Sequence, residues 1–293
     1  MEERIAAPSK TKRIIEENSF YLKKSFGQNF LIDENVVWNI VKAAKLGPED
    51  TVIEIGPGIG SLTQALAESA KRVIAVEIDK KLIPVLEKNL SGYKNIEVIN
   101  KDILKTDMNA LMKEKGESNV KVVANLPYYI TTPVIMHLLE KSEGINLITV
   151  MVQKEVAERM TARPGEKEYG ALTVAVSYFS KAEINFNIGP NCFIPRPKVE
   201  SSVISLEVFD KPRIPVVNRE LFFKVVKSAF GQRRKTLVNS LFNQGGFSLT
   251  KEELAEIVTG MGFDARVRGE ELSPENFAAV SEKILNYQNY RKI

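Results

Sequence analysis

The chain has 293 residues, 44% of them hydrophobic and 27% charged, which suits one large domain with a smaller companion. Its net charge of +4 permits a polyanionic partner without demanding one. A single cysteine and a single histidine rule out a disulfide scaffold and leave nothing to hold zinc, so no metal is expected; no run approaches a membrane span, and the N-terminus has no apolar signal core, so a cytoplasmic protein with no membrane partner is expected.

From Asp50 onward, short β-branched runs alternate with segments of helical period. The runs are TVIEI (51 to 55), RVIAVEI (72 to 78), NIEVIN (95 to 100), VKVVAN (120 to 125) and NLITVMV (146 to 152). They are almost continuously apolar, as strands covered on both faces must be. Helical segments follow Gly60, Ile78 and Thr132, the last with Thr132 as cap and Pro133 at the first helical position. Such alternation predicts right-handed βαβ units and an open parallel sheet. YGALTVAVSYFS (169 to 180) is ambiguous in period and is read as helix, because the sheet needs a crossover there. AEINFNI and ESSVISLEV then read as a closing strand pair joined by a proline-rich loop. KPRIPVV (211 to 217) carries two prolines that interrupt either pattern, which predicts a division into residues 1–210 and a helical domain of 211–293.

Gly56, Gly58 and Gly60 fall between the first strand and its helix, where glycine permits a tight turn and close ligand approach. Their spacing is GxGxG rather than the dinucleotide fingerprint GxGxxG, so a ligand without a pyrophosphate fits better. Glu77 closes the second strand, where an acid can accept from ribose hydroxyls, and Asp102 follows the third, where it can accept from an adenine amino group. Taken singly each acid is an ordinary solvated strand end. In order along one sheet edge they describe a nucleoside site, and S-adenosylmethionine suits it.

Asn125 ends the fourth strand and is followed by Leu126, Pro127, Tyr128 and Tyr129. The nitrogen of an adenine N6 amine is a poor nucleophile, since its lone pair is delocalised into the ring. Two acceptors, the Asn125 side-chain oxygen and the Leu126 carbonyl, would localise that lone pair; Pro127 fixes the dihedral that aims the carbonyl, and the Tyr128 ring offers a stacking surface for a flipped base. Tyr129 is assigned to packing, as is His137 inside an apolar helix, and Cys192 is taken as inert.

NLPY after the fourth strand, EIGPGIGSLT, KSFGQNFL (24 to 31), FIPRPKVESS (193 to 202) and AFGQRRKTLVNSL (229 to 241) together resemble the small-subunit ribosomal RNA adenine dimethyltransferases across nearly the whole chain. Phe26, where many members carry leucine, is the one departure. The resemblance implies a class I, Rossmann-like α/β methyltransferase sheet with a small α-helical C-terminal domain. It implies a cofactor site of Asn29, Leu31, Gly56, Glu77, Asp102 and Asn125, beside Gly58, and a second aromatic surface from Phe193. It further implies that two neighbouring adenosines near the 3′ end of 16S rRNA are each dimethylated, within a 30S assembly intermediate and by a monomer. A DNA adenine-N6 methyltransferase and a non-catalytic assembly factor are the rival readings.

Between Lys211 and Phe242 stand eight Lys and Arg against one acid, Glu220. Arg233, Arg234 and Lys235 lie at a break between helical segments and are candidates for phosphate contacts, with Lys23 and Lys24 extending the grip.

Overall fold

A computed structural model describes residues 3–18 and 29–290. Lys23 and Lys24 lie outside the described residues. The chain runs α1 (Pro8–Glu17), β1 (Phe30–Leu31), α2 (Glu34–Ala43), β2 (Thr51–Ile55), α3 (Ser61–Ser69), β3 (Arg72–Glu77), α4 (Ile83–Asn89), β4 (Ile96–Asn100), α5 (Met108–Glu114), β5 (Val120–Asn125), α6 (Thr131–Lys141), β6 (Ile145–Gln153), α7 (Lys154–Thr161), α8 (Ala171–Phe179), β7 (Ser180–Ile188), β8 (Phe193–Ile194) and β9 (Ser201–Val208). Four further helices follow: α9 (Arg219–Phe230), α10 (Leu237–Gly245), α11 (Lys251–Thr259) and α12 (Pro274–Tyr290).

Seven strands form one sheet in the order β4-β3-β2-β5-β6-β9-β7. β2 pairs in parallel with both β3 and β5, β5 with β6 and β3 with β4, while β9 runs antiparallel to β6. The five apolar runs are therefore the five parallel strands, and Ile53, Ile74, Val122, Val123 and Ile148 are fully enclosed. Each such side chain contributes roughly 1.5–3 kcal/mol of transfer free energy. Chain order reverses between β2 and β5, which opens a crevice at their carboxyl ends, where open α/β sheets bind ligands. β7, at the sheet edge, alternates exposed and covered residues, as a strand solvated on one side must.

Helix starts follow local chemistry. Asp33 caps α2 by accepting from the backbone N–H of Asn35 and Val36, and Thr250 and Glu253 close a reciprocal capping box on α11. α6 begins at Thr131, earlier than the Thr132–Pro133 pair signals. Pro133 is tolerated there because the first-turn N–H groups have no intrahelical partner in any case.

The chain separates into two compact units, dividing between Asp210 and Lys211 as the linker prolines suggest, but one segment of the expected large domain changes sides. Of the described residues, those up to Ala157 and from Lys181 to Asp210 form the first, while Glu158–Ser180 join the residues from Lys211 onward. Residues 158–180, expected in the large domain, thus belong with the helical unit. The cause is aromatic packing: Tyr178 of α8 lies 5.4 Å from Phe222 and 5.3 Å from Phe223 of α9, and Phe179 stacks on Phe223. Nearby, Tyr169 packs edge-on to Phe230 and donates its hydroxyl to the Leu272 carbonyl at 2.7 Å. Among the described residues, no helix is long and apolar enough to cross a membrane.

Candidate active site

A cavity of about 300 Å³ opens at the carboxyl ends of β2, β3 and β5. Of the residues singled out from sequence, Asn29, Leu31, Gly56, Gly58, Glu77, Asp102, Asn125, Leu126 and Pro127 all line it.

The floor is the turn after β2. Gly56 and Gly58 have φ of +68° and +62°, a conformation side chains resist. A Cβ on Gly56 would meet no atom within 4 Å and would project into open space, whereas one on Gly58 would lie 3.2 Å from the Phe30 ring. The loop thus keeps its backbone bare toward the cavity on one residue and toward Phe30 on the other.

Glu77 is buried, and its carboxylate accepts from the backbone N–H of Asp79 at 2.8 Å and of Gly58 at 3.2 Å. Burial pushes its pKa up, while those two donors pull it back. The Gly58 amide is therefore already engaged. Asp102 accepts the Leu104 N–H at 3.0 Å, with the Lys105 ammonium 3.8 Å from its other oxygen. Ile78, half exposed, and Leu104 present apolar surface between these acids. Two acceptors flanked by aliphatic side chains suit an adenosine, so the residues present fit S-adenosylmethionine.

At the other end, the Asn125 amide nitrogen donates to the Asn29 carbonyl at 3.0 Å. A carbonyl only accepts, so the amide's orientation is fixed and its oxygen remains an acceptor. Asn29, expected as a cofactor contact, thus also sets the rotamer of Asn125. Pro127 has φ −56° and ψ 131°, and its own carbonyl accepts from Ile130.

The aromatic residues are arranged differently from the expectation. Tyr128 is half-buried beside the cavity, its hydroxyl 2.8 Å from Ser201 Oγ, and burial raises its pKa. Tyr129, assigned to packing, is 60% exposed and lines the cavity. Phe193, expected to sandwich a base, is 1% exposed: it pairs with Leu31 in the β1–β8 ladder and packs with Leu31, Met151 and Val203. Its backbone pairing carries the ring into the core, where it has no face to offer a base, contrary to the expectation.

Glu54 was missed altogether. It lines the cavity at 1% exposure, and the signal was present, since it is the one acid inside the otherwise apolar TVIEI run. Among the described residues no three potential ligands gather to hold a metal. In the helical unit, Arg233 donates to the carbonyls of Lys167 and Tyr169 and lies 3.6 Å from Glu270, so it is engaged internally. Arg234 and Lys235 are exposed, and their side chains have no ion-pair partner among the described residues.

A family model described as Ribosomal RNA adenine dimethylase matches residues 19–282. The chain is 50% identical to Ribosomal RNA small subunit methyltransferase A of Alkaliphilus oremlandii, over 96% of this chain and 98% of that one. It is 48% identical to the Bacillus mycoides protein of the same name, over 96% and 97%. Among solved structures, a dimethyladenosine transferase from Plasmodium falciparum superposes with a TM-score of 0.73 at 27% identity, covering 90% of this chain and 98% of that one. The 23S rRNA methyltransferase ErmE superposes at 0.68, also 27% identical, covering 87% and 99%. On the extent of the family match and the identity to these relatives, the chain belongs to the ribosomal RNA adenine dimethylase family.

Proposed function

We propose that this enzyme transfers methyl groups from S-adenosylmethionine to N6 of two adjacent adenosines near the 3′ end of 16S rRNA, giving N6,N6-dimethyladenosine. Its substrate is a 30S assembly intermediate, and it acts as a cytoplasmic monomer. Names of the half-identical relatives support the small-subunit target. The observation that carries the mechanism is the Asn125–Asn29 hydrogen bond, which leaves the Asn125 oxygen as an acceptor at the cavity wall.

The cofactor supplies an electrophilic methyl group. Asn125 Oδ1 and the Leu126 carbonyl accept from the two N6 hydrogens, drawing the nitrogen toward tetrahedral geometry and localising its lone pair. As the N–C bond forms the C–S bond breaks, and the cationic nitrogen then loses its proton to solvent. No titrating base is required; positioning and preorganised acceptors provide the catalysis. In the second round the nitrogen retains one hydrogen, so a single acceptor holds it while the other contact yields to the methyl. The rings of Tyr128 and exposed Tyr129 offer surfaces for the extruded base. Arg234 and Lys235 contact phosphates.

The test incubates the protein and its Asn125→Ala variant with labelled S-adenosylmethionine and unmethylated small subunits, naked rRNA or duplex DNA. Label is expected in RNA as dimethyladenosine, and greatly reduced with the variant. Label in DNA would establish the rival methyltransferase reading, and equal transfer by the variant would remove Asn125 from the mechanism.

A further inference from the structure

From its place in an apolar helix His137 is expected to pack, yet it makes a directed polar contact. Its ring nitrogen Nε2 lies 3.0 Å from the Thr106 carbonyl oxygen. A carbonyl only accepts, so Nε2 carries a hydrogen and donates it. The Thr106 hydroxyl in turn donates to the Asp102 carbonyl at 2.7 Å, and the Asp102 side chain accepts the Leu104 N–H at 3.0 Å. Successive hydrogen bonds therefore run from α6 to a turn whose residues Asp102, Ile103 and Leu104 line the cavity.

That turn has little other support. It follows β4, which stands at the edge of the sheet, pairs with β3 and is only half-buried. The turn is a single stretch of 3₁₀ helix, closed by backbone bonds from Lys105 to Asp102 and from Thr106 to Ile103, and such bonds have poorer geometry than those of an α-helix. α6 supplies the firm surface. Farther along, Asn109 donates to the Lys141 carbonyl and accepts from the Glu143 N–H, which ties α5 to the end of the same helix. At its other end α6 grows directly out of the turn after Asn125, where the Thr131 hydroxyl donates to the Pro127 carbonyl at 3.3 Å. One helix thus continues the turn that meets the target amine and fastens the turn that meets the cofactor's adenosine.

We propose that His137 is a positioning residue for the cofactor: by holding Thr106 it fixes the turn after β4, so that Asp102 meets the adenosine in one geometry. The ring itself acts only through Thr106. Loss of the contact leaves the turn to be ordered by the cofactor as it binds, which costs affinity and spares the rate of the transfer step. The proposal rests on this cavity being the cofactor site.

The test measures S-adenosylhomocysteine binding to the full-length protein by calorimetry, beside methyl transfer to unmethylated small subunits. His137→Leu removes the donor and keeps an apolar side chain. It is expected to weaken binding about fivefold to tenfold, the scale of one lost hydrogen bond, and to raise KM for S-adenosylmethionine by the same factor with kcat within about twofold. His137→Gln, whose amide can donate to the same carbonyl, is expected to recover affinity to within about twofold of wild type. Thr106→Val deletes the next link without touching α6 and is expected to match His137→Leu, so the proposal stays open to refutation should the histidine variant fail to fold. In an Asp102→Ala background, His137→Leu is expected to cost less than about twofold more, because the side chain it positions is gone. Wild-type affinity in His137→Leu or in Thr106→Val would overturn the proposal. So would equal weakening by leucine and glutamine, a fall in kcat with KM unchanged, or a loss undiminished in the Asp102→Ala background. Asp102→Ala alone separates the two levels: unchanged binding refutes the cavity as the cofactor site, whereas weakened binding leaves only the His137 assignment at stake.

Discussion

Asn125→Asp is the sharpest probe of the acceptor arrangement, because it keeps the shape and replaces the donating nitrogen by an oxygen. The Asn125 amide faces the Asn29 carbonyl at 3.0 Å, so an ionised aspartate would set two acceptors against each other. That forfeits about 1 kcal/mol of hydrogen bond and adds repulsion. The protonated carboxyl can instead donate to the same carbonyl, so the folded pKa of the new side chain lies above its usual value near 3.9. The active form is the protonated one, present below the folded pKa and lost as pH rises through it. At pH 7.5, single-turnover transfer at saturating cofactor is expected to fall about 10² to 10³-fold, the usual scale for losing one preorganised contact to the reacting group. On acidification the rate should climb roughly tenfold per pH unit until the folded pKa is reached. Wild type should show no such climb, because its mechanism uses no titrating base. An aspartate variant with the wild-type rate at pH 7.5, or one whose deficit ignores pH, would refute the claim that the Asn29 carbonyl sets the orientation of residue 125.

The remaining expectations concern stability and RNA grip. Gly144→Ala, at φ +75°, would place a Cβ 2.1 Å from the Ser118 carbonyl oxygen, whereas Gly116→Ala, at φ +73°, meets nothing within 4 Å. Denaturant unfolding should show about 1–2 kcal/mol lost for Gly116→Ala, from the backbone alone, and clearly more for Gly144→Ala; equal losses would show that the loop around Ser118 yields freely. Replacing Arg234 and Lys235 together by alanine should weaken rRNA binding and lower the slope of log affinity against log salt by between one and two, with the melting temperature unchanged. Arg233→Ala, by contrast, should lower the melting temperature, since it removes contacts to Lys167, Tyr169 and Glu270. For Glu54 the folded pKa of about 8 lies above the ordinary 4.5, so the folded state holds a proton that the unfolded state gives up. The stability this contributes is complete below pH 4.5 and is lost as pH rises toward 8; without ligand, Glu54→Gln should gain on wild type by several kcal/mol between pH 5 and pH 9, and a constant difference would sink the linkage.

The sheet and most of the cavity were legible because strand ends carry their chemistry in order. Four of the parallel strands were predominantly apolar runs, with β4 at the sheet edge the mixed one, and Glu77 and Asn125 close a strand while Gly56 and Asp102 follow one, at the edge where the topology must put them. What local pattern could not decide was the direction of a side chain held by a distant partner. Phe193 stands in a proline-rich loop compatible with a solvent-facing ring or a core anchor, and a two-residue ladder with Phe30 and Leu31, far away in sequence, chose the core. Tyr128 and Tyr129 are adjacent, yet one is half-buried and the other exposed, and the hydroxyl partner Ser201 that marks Tyr128 as the inner one lies on β9. Residues 158–180 were placed in the wrong unit for a related reason. A crossover helix and a helix docked on Phe222 and Phe223 have the same period; only the aromatic surface opposite tells them apart.

Glu54 and Glu77 sharpen the electrostatic logic of the site, since both are buried acids on one cavity and both have raised pKa values. Their surroundings nonetheless prepare them for different work. Two backbone N–H groups already point at Glu77, so its charge is partly stabilised before anything binds, and it can serve as a standing acceptor for hydroxyls that bring no charge. Glu54 has an oxygen without any donor, the Glu77 carboxylate pushes its pKa up further and only the Thr63 hydroxyl pulls it down, so it holds its proton near neutral pH while Glu77, with two backbone donors, is the better prepared to carry charge.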